Sequence, residues 1–276
     1  GEALAARKAE AIALYDDIGI LRGLSAWRWV DRVQSHAQVL ILYTPASTPA
    51  PLGQALVDYV FSELIRVGSL QVIEVRVRDE SPGVRDAWLR HGVVVFARWQ
   101  MSRPLGVVPL PILPVRDGYT LAPWQAERQT EIEQVAAAAY RDSVEGIAVP
   151  DPQGSRAVEN LRKLCADPGG WNADASLMVM DKRSSAVGYV AVLKAGHEAQ
   201  IEDLAVHPSH RRRGLARVLL VRAMTIAQRQ KQSAVTLSVT ARNPVCALYN
   251  QLGFQPVHCG EVAIWWRDGR HMSWRE

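Results

Sequence analysis

One stretch of this sequence combines the residue types and the spacing that a phosphate-binding site needs. A strand-like run, 201–206 (IEDLAV), is followed by a basic loop and then by the start of an apolar helical pattern. The first turn of a helix has free backbone N–H groups and a partial positive charge, and both attract anions. The junction therefore predicts a phosphate or pyrophosphate site, formed by Arg211, Arg212, Arg213, Gly214, Leu215 and Ala216.

The segments around this junction predict an α/β fold of the α+β type, because strand-like and helix-like patterns alternate from about residue 115. Strands are predicted at 119–122, 177–181, 187–193, 200–206, 235–240, 257–266 and 271–274. Helices are predicted at 127–140, 156–165, 214–230 and 244–252. The Asp268-Gly269 pair predicts a hairpin between the last two strands.

A proline-rich segment separates this region from the first part of the chain. Residues 104–114 (PLGVVPLPILP) contain four prolines, which interrupt both helices and strands. The segment is predicted to be an extended linker whose apolar residues lie against a surface. We place a domain boundary near residue 112, which divides the chain into domains 1–112 and 115–276.

The first domain contains a faint copy of the second, at an offset of 161 positions. Gly53 then corresponds to Gly214, and Gly92 corresponds to Gly253. Apolar residues also coincide over about forty positions, which favours a true repeat over chance similarity between helices. The strand before the repeat fits less well, so the loop that follows it is expected to differ in length.

The first copy lacks the residues that could do chemistry. Ala50-Pro51-Leu52 corresponds to the three arginines, and Pro51 has no N–H to offer a phosphate. Trp88 corresponds to Tyr249 and has no hydroxyl. We therefore predict that the first domain is a degenerate and partial copy.

The second domain resembles the GNAT superfamily of acyl-CoA-dependent N-acyltransferases. The central motif of that family is found here as Val206-His207-Pro208 followed by Arg211-Arg212-Arg213-Gly214-Leu215-Ala216. Its next motif is found as Asn243, Leu248-Tyr249 and Gly253-Phe254. Counted back from the tyrosine, the family's asparagine position falls on Arg242, one residue before Asn243. The whole chain thus resembles a tandem GNAT protein with two mixed sheets flanked by helices, the first of them partial.

The resemblance implies a role for each candidate residue. Acetyl-CoA would pair through its pantetheine arm with the backbone of Leu204, Ala205 and Val206. Its pyrophosphate would bind the arginine loop, and Asn243 would contact the cofactor. Tyr249 would protonate the leaving thiolate, and Glu202 or, as a second choice, Asp203 would act as the base. Trp265, Trp266 and Trp274 are candidates for the acceptor cleft, but at least one is expected in the core.

Composition narrows the remaining classes of function. The chain has 276 residues, and its net charge of +4 comes partly from the arginine loop, without a basic helix or aromatic groove for nucleic acid. No window approaches the ~18 apolar residues of a membrane span. Three cysteines without metal-type spacing predict reduced thiols, no bound metal and a cytoplasmic location.

Two functions stay open at this point. The first is an N-acetyltransferase that acts on a primary amine of a small molecule or a protein, as a monomer or homodimer. The alternative is a non-catalytic acyl-CoA-binding or scaffold protein. A nucleotide-binding protein is disfavoured because the sequence has neither a Gly-x-Gly-x-x-Gly pattern nor a Walker-type lysine loop.

Overall fold

The computed structural model describes residues 9–30, 32–45, 48–75, 83–141, 143–149 and 170–274. It divides into two compact units: unit 1 comprises residues 1–97, 147–152 and 261–276, and unit 2 comprises residues 98–146 and 153–260. This division differs from the boundary near residue 112 that the proline-rich segment indicates. The predicted division into folding domains stays a prediction.

Unit 1 contains a mixed sheet with two helices packed on one face. Its elements are β1 (Glu10–Tyr15), β2 (Leu21–Trp29), β3 (His36–Tyr43), α1 (Ala50–Ile65), β4 (Val72–Val75), α2 (Val84–Arg90) and the first residues of β5 (Val94–Pro104). Buried apolar side chains of α1, α2 and the strands form its core. The end of the chain, from residue 261, completes this unit.

Unit 2 contains mixed parallel and antiparallel strands with helices on both faces. After β5 its elements are β6 (Tyr119–Pro123), α3 (Gln129–Tyr140), α4 (Val144–Ala148), β7 (Leu177–Asp181), β8 (Ala186–Ala195), β9 (Glu198–Val206), α5 (Leu215–Arg229), β10 (Ala234–Thr240), α6 (Cys246–Gln251) and β11 (Gln255–Trp266). One core forms beneath α5 and α6, and a smaller one forms beneath α3.

The two units repeat one pattern of strand pairing. In unit 1 the order is β1-β2-β3-β4-β11, and in unit 2 it is β7-β8-β9-β10-β5 with β6 added beside β7. In both, the third and fourth strands are parallel and the other pairs are antiparallel. Each unit therefore ends on a strand supplied by the other half of the sequence.

Most of the elements predicted for the second half are confirmed, with one clear error. The predicted helices and strands agree with the structure to within a few residues, except at the end of the chain. Residues Arg270–Trp274 form a 3₁₀ turn and not a hairpin strand, because buried His271 accepts the backbone N–H of Trp266 at Nδ1. The helix predicted at 156–165 lies outside the described residues.

The proline-rich segment has no regular secondary structure, as predicted. Leu105, Leu110 and Leu113 pack against the larger core of unit 2, so the expectation that this segment lies on a surface is confirmed. Buried Arg103, at the end of β5, binds the segment through the carbonyl of Val108 at 3.1 Å.

Candidate active site

The basic loop between β9 and α5 folds as a cradle of backbone amides. Arg212 and Gly214 both adopt left-handed backbone conformations, with φ of 62° and 77°. Successive N–H groups in such a conformation point into a shared concavity that suits anions. Gly214 immediately precedes α5, so the dipole of a helix of 15 residues adds to the attraction.

A pocket of about 200 Å³ lies at this cradle. Its lining includes Arg211, Arg212 and Arg217 and no acidic residue. Arg213, the third arginine of the predicted set, instead donates to the hydroxyl of Tyr119 and to the carbonyl of Ser209. Leu248 also lines the pocket, which brings the helix that carries Tyr249 next to the loop.

Strand β9 separates from β10 just before the loop. The parallel pairing of β9 with β10 covers only Glu198 to Ile201, and it ends where Leu237 faces Ile201. Residues 202–206 of β9 therefore have one edge that does not pair with β10. That open edge includes Leu204, Ala205 and Val206, where an extended ligand can add as a strand.

A bulge in β9 places both candidate bases on the same face of the sheet. The register with β8 skips Glu202, since Ala191 faces Asp203 and the next residue, Val192, faces Ile201. Ile201 and Leu204 both pack into the core beneath α5, so the residues between them point the other way. In a regular strand neighbouring side chains point to opposite faces, and the bulge at Glu202 is an exception to that alternation.

The two carboxylates have different surroundings. Asp203 accepts hydrogen bonds from the hydroxyls of Tyr140 and Tyr189, the latter at 2.6 Å. Burial raises the pKa of the Asp203 carboxyl, and the two tyrosine hydroxyls partly oppose the rise. Glu202 is exposed and accepts one hydrogen bond from Gln200, at 2.9 Å on Oε2. Partial desolvation raises the pKa of Glu202 as well.

Tyr249 lies on α6 and is 6% exposed. Its ring packs against Phe254, with 5.8 Å between ring centroids. Burial raises the pKa of the Tyr249 hydroxyl well above its usual value, and the negative charges of Glu145 and Asp203 add to the rise. The hydroxyl is therefore protonated at neutral pH and is available as a donor.

Comparison with known proteins agrees with this geometry. Residues 141–254 match the model of the acetyltransferase (GNAT) family. The chain contains a GNAT acetyltransferase domain. A mycothiol acetyltransferase from Thermomonospora curvata is 30% identical over 158 residues, which are 56% of this chain and 50% of that protein. The chain thus spans half the length of this relative.

Solved structures extend the likeness in fold beyond the GNAT domain itself. A GCN5-related N-acetyltransferase from Sphaerobacter thermophilus has a TM-score of 0.60 at 20% identity, over 93% of this chain and 80% of that one. A tandem GNAT protein from the clavulanic acid biosynthesis pathway has a TM-score of 0.52 at 15% identity, over 94% of this chain and 83% of that one. The predicted fold class is confirmed.

Asn243 has a local structural role in this GNAT domain. Its Oδ1 accepts the backbone N–H of Val245 at 3.0 Å, and its Nδ2 donates to Glu145 at 3.3 Å. The side chain thereby shapes the turn between β10 and α6. Its predicted contact with the cofactor stays a prediction.

Several polar residues of the GNAT domain were not predicted from the sequence. Tyr140 and Tyr189 bind Asp203, and Glu145 binds the turn before α6. Arg98, on β5, donates to Glu145 at 2.8 Å and to the hydroxyl of Thr240 at 2.9 Å. No motif marks these positions, because each acts through a contact between residues distant in sequence.

The structure describes the side chains of two of the three tryptophans that are candidates for the acceptor cleft. Trp266 is 3% exposed, and Trp265 packs against the core of unit 1. Trp265 therefore belongs to that core, as expected for at least one of the three, and a role of the tryptophans in an acceptor cleft stays a prediction. The side chain of Trp274 lies outside the described part of the chain.

Within the described ranges, no group of His, Cys, Asp or Glu side chains has the arrangement of a metal site. Likewise, none of the helices there combines the length and the apolar character that crossing a membrane requires.

Proposed function

We propose that this protein transfers an acetyl group from acetyl-CoA to a primary amine, by direct attack of the amine within a ternary complex. One observation carries the proposal: one basic pocket is lined both by Arg211, Arg212 and residues 214–216 of the loop and by Leu248, the neighbour of Tyr249. A pyrophosphate in the cradle and a pantetheine arm along the open edge of β9 would bring the thioester towards Tyr249. The backbone of Leu204, Ala205 and Val206 would hold that arm.

The chemical steps require one base and one acid. The amine nitrogen attacks the thioester carbonyl, the C–S bond breaks, and the acetyl group forms an amide with the acceptor. Glu202 takes the proton that the amine loses, directly or through water, because one of its carboxylate oxygens has no hydrogen-bond partner among the described residues. Tyr249 donates its proton to the departing thiolate and regains one from solvent. A backbone N–H near Val206 polarises the carbonyl.

Asp203 is a weaker candidate for the base. Although burial raises its pKa, both of its carboxylate oxygens already accept a tyrosine hydroxyl, so neither is free to take a proton from the amine. We assign it the task of fixing Tyr140 and Tyr189 on the acceptor side of the sheet. The acceptor itself is a primary amine of a small molecule or a protein.

The direct test is a thiol-release assay with acetyl-CoA and a panel of amines. The panel contains small metabolite amines, amino acids, aminoglycoside-type antibiotics and lysine-containing or N-terminal peptides. Release of CoA that depends on one class of amine, with the acetylated product seen by mass spectrometry, is the expected result. Tight acetyl-CoA binding without turnover on any amine would instead favour the non-catalytic acyl-CoA-binding function.

The proposal places one acetyl-CoA on each chain, in unit 2. Unit 1 has Ala50-Pro51-Leu52 where unit 2 has its arginines, and so it lacks the charge and one of the amides that a pyrophosphate needs. Titration calorimetry is expected to give a stoichiometry of one. A measured value of two would contradict the prediction that the first copy is degenerate.

A further inference from the structure

Two arginines of β5 bind the segments that precede and follow the helix that carries Tyr249. At its start, Arg98 donates to Glu145 and to the hydroxyl of Thr240, at 2.8 and 2.9 Å. At its end, Arg103 donates through Nε to the carbonyl of Leu252, at 2.5 Å. Residues 98–104 of β5 belong to unit 2, although they come from the first half of the sequence.

Glu145 connects the first of these arginines to the turn before α6. Its carboxylate accepts the backbone N–H of Thr240 at 2.6 Å and the side chain of Asn243 at 3.3 Å. Asn243 in turn accepts the N–H of Val245, next to the first residue of the helix. The Glu145 side chain is 14% exposed and that of Arg98 is 26% exposed, so solvent screens this pair only in part.

The repeat provides an internal comparison for the two arginines. In unit 1 strand β11 pairs with β4, and in unit 2 strand β5 pairs with β10. At the offset of 161 positions, β4 corresponds to β10 and β5 corresponds to β11, and the residue pairs of the two units coincide. At that offset, β11 has Cys259 in place of Arg98 and Ile264 in place of Arg103. The pairing of β11 with β4 covers residues 263–266, so unit 1 forms it with Ile264 at the position of Arg103, and the pairing alone does not require that arginine.

We propose that Arg98, Glu145 and Arg103 are positioning residues for Tyr249, and that the first half of the chain thereby completes the acetyl-transfer site. The pair Arg98–Glu145 fixes the turn from which α6 starts, and Arg103 fixes the carbonyl end of the helix. This inference rests on the proposed role of Tyr249 as the acid.

The test is a double-mutant cycle between Glu145 and Tyr249. Glu145→Gln, which is close to isosteric, is measured in the natural background and in Tyr249→Phe, and Arg98→Met is treated in the same way. We expect Glu145→Gln to lower kcat by about tenfold with acetyl-CoA affinity within twofold, and to have little effect once the tyrosine hydroxyl is gone. An equal loss in both backgrounds would overturn the proposal, because Glu145 would then act independently of Tyr249.

The matched control is an exposed ion pair on unit 1. Arg66 and Glu63 form an i,i+3 pair on α1, and the Arg66 side chain is 72% exposed. Glu63→Gln is expected to leave kcat unchanged. A loss there similar to that of Glu145→Gln would show a general effect of removing a carboxylate and would overturn the assignment.

A second measurement reads the turn without using catalysis. Cys246 is the first residue of α6, its thiol contacts the carbonyl of Thr240, and burial together with the charge of Glu145 raises its pKa. Alkylation of Cys246 by iodoacetamide is located by mass spectrometry against exposed Cys259 and compared as the pH-independent rate of the thiolate, which removes the effect of the Glu145 charge on the thiol pKa. That rate is expected to be about tenfold faster in Glu145→Gln. Unchanged alkylation would overturn the positioning role.

The two measurements separate the two proposals. If Tyr249→Phe keeps full turnover while Cys246 becomes reactive in Glu145→Gln, the acid role of Tyr249 fails and the fixation of the turn stands. If Tyr249→Phe loses turnover while Glu145→Gln changes neither kcat nor alkylation, the acid role stands and the positioning role fails.

Discussion

The two strand-to-helix junctions, β3–α1 and β9–α5, follow the same strand pairing but differ in the loop itself. The loop has six residues between β3 and α1 and eight between β9 and α5. In unit 1 the helix begins at Ala50, after Pro49, so its first turn occupies the positions that correspond to the arginine loop. Gly53 is buried inside α1, whereas Gly214 stands before α5 in a left-handed conformation. The loop of unit 2 is thus free to form a cradle because α5 begins one turn later, in the aligned positions, than α1.

The bulge gives a second comparison between the same strands. In β3 the register with β2 skips Leu40, as the register of β9 with β8 skips Glu202. The distortion is therefore present in both units, but the residues there are Leu40 and Ile41 in unit 1 and two carboxylates in unit 2. The backbone framework is common to both units, and the polar side chains occur in one.

The largest effect is expected from Gly214→Glu, which would disturb the left-handed glycine that precedes α5 and has no counterpart before α1. A side chain at φ of 77° strains the backbone, and the added carboxylate places a negative charge in the cradle. We expect calorimetry to detect no acetyl-CoA binding. Gly19→Glu is the matched control, since Gly19 also has a left-handed φ of 82° and open space around it, but lies in a turn of unit 1. Normal affinity in Gly214→Glu would contradict the phosphate cradle.

Tyr249→Phe is the next largest change, and it removes the hydroxyl that Trp88 also lacks. Loss of a general acid lowers turnover by roughly 100-fold or more. We expect that loss in kcat, with the dissociation constant of acetyl-CoA unchanged, from steady-state assays and calorimetry. Tyr59→Phe, at an exposed tyrosine of unit 1, provides the control. Unchanged turnover in Tyr249→Phe would mean that the tyrosine is only a core residue.

Glu202→Gln sharpens the comparison of the two bulges. A base works only when it is deprotonated, so kcat should fall as the pH is lowered through the pKa of Glu202. Because that pKa is raised, the fall should occur at a higher pH than for an ordinary glutamate. In the variant we expect kcat to fall by at least about tenfold and the acid-side limb of its pH profile to disappear. A profile of the same shape in Glu202→Gln would assign that limb to Asp203 or to the amine.

Much of unit 2 was predictable from the sequence because its signals are local. Periodicity identified α5 and the strands beside it, and Gly253, with a left-handed φ of 85°, follows α6 as its stop signal indicated. The concave backbone of the arginine loop was also predictable, since it depends on consecutive residues, and its binding of a phosphate stays a prediction. Arg213 is the exception, because Tyr119 lies across the loop and binds it.

The rest of the site depends on contacts that periodicity does not encode. One skipped residue at Glu202 reverses the alternation of β9, and a single sequence carries no sign of it. Arg98 and Arg103 come close to the site because β5 pairs with β10, whose residues stand more than 130 positions later in the sequence than these two arginines. Arg98, for example, lies opposite Thr240. His271 bends the last residues into a 3₁₀ turn through its contacts with Trp266 and with the carbonyl of Gly92.

The smallest effect on catalysis is expected from Trp88→Phe, the change in unit 1 that matches Tyr249→Phe. Trp88 is 2% exposed and packs edge-on against Phe61, and its buried indole N–H has no hydrogen-bond partner among the described residues. The smaller ring leaves a cavity but also removes an unsatisfied donor, so the free energy of unfolding is expected to fall by only about 1–2 kcal/mol. Urea denaturation measures that change, and kcat should stay within twofold. A large loss of turnover at unchanged stability would show that α2 contributes to catalysis, and the contrast between the two helices would then fail.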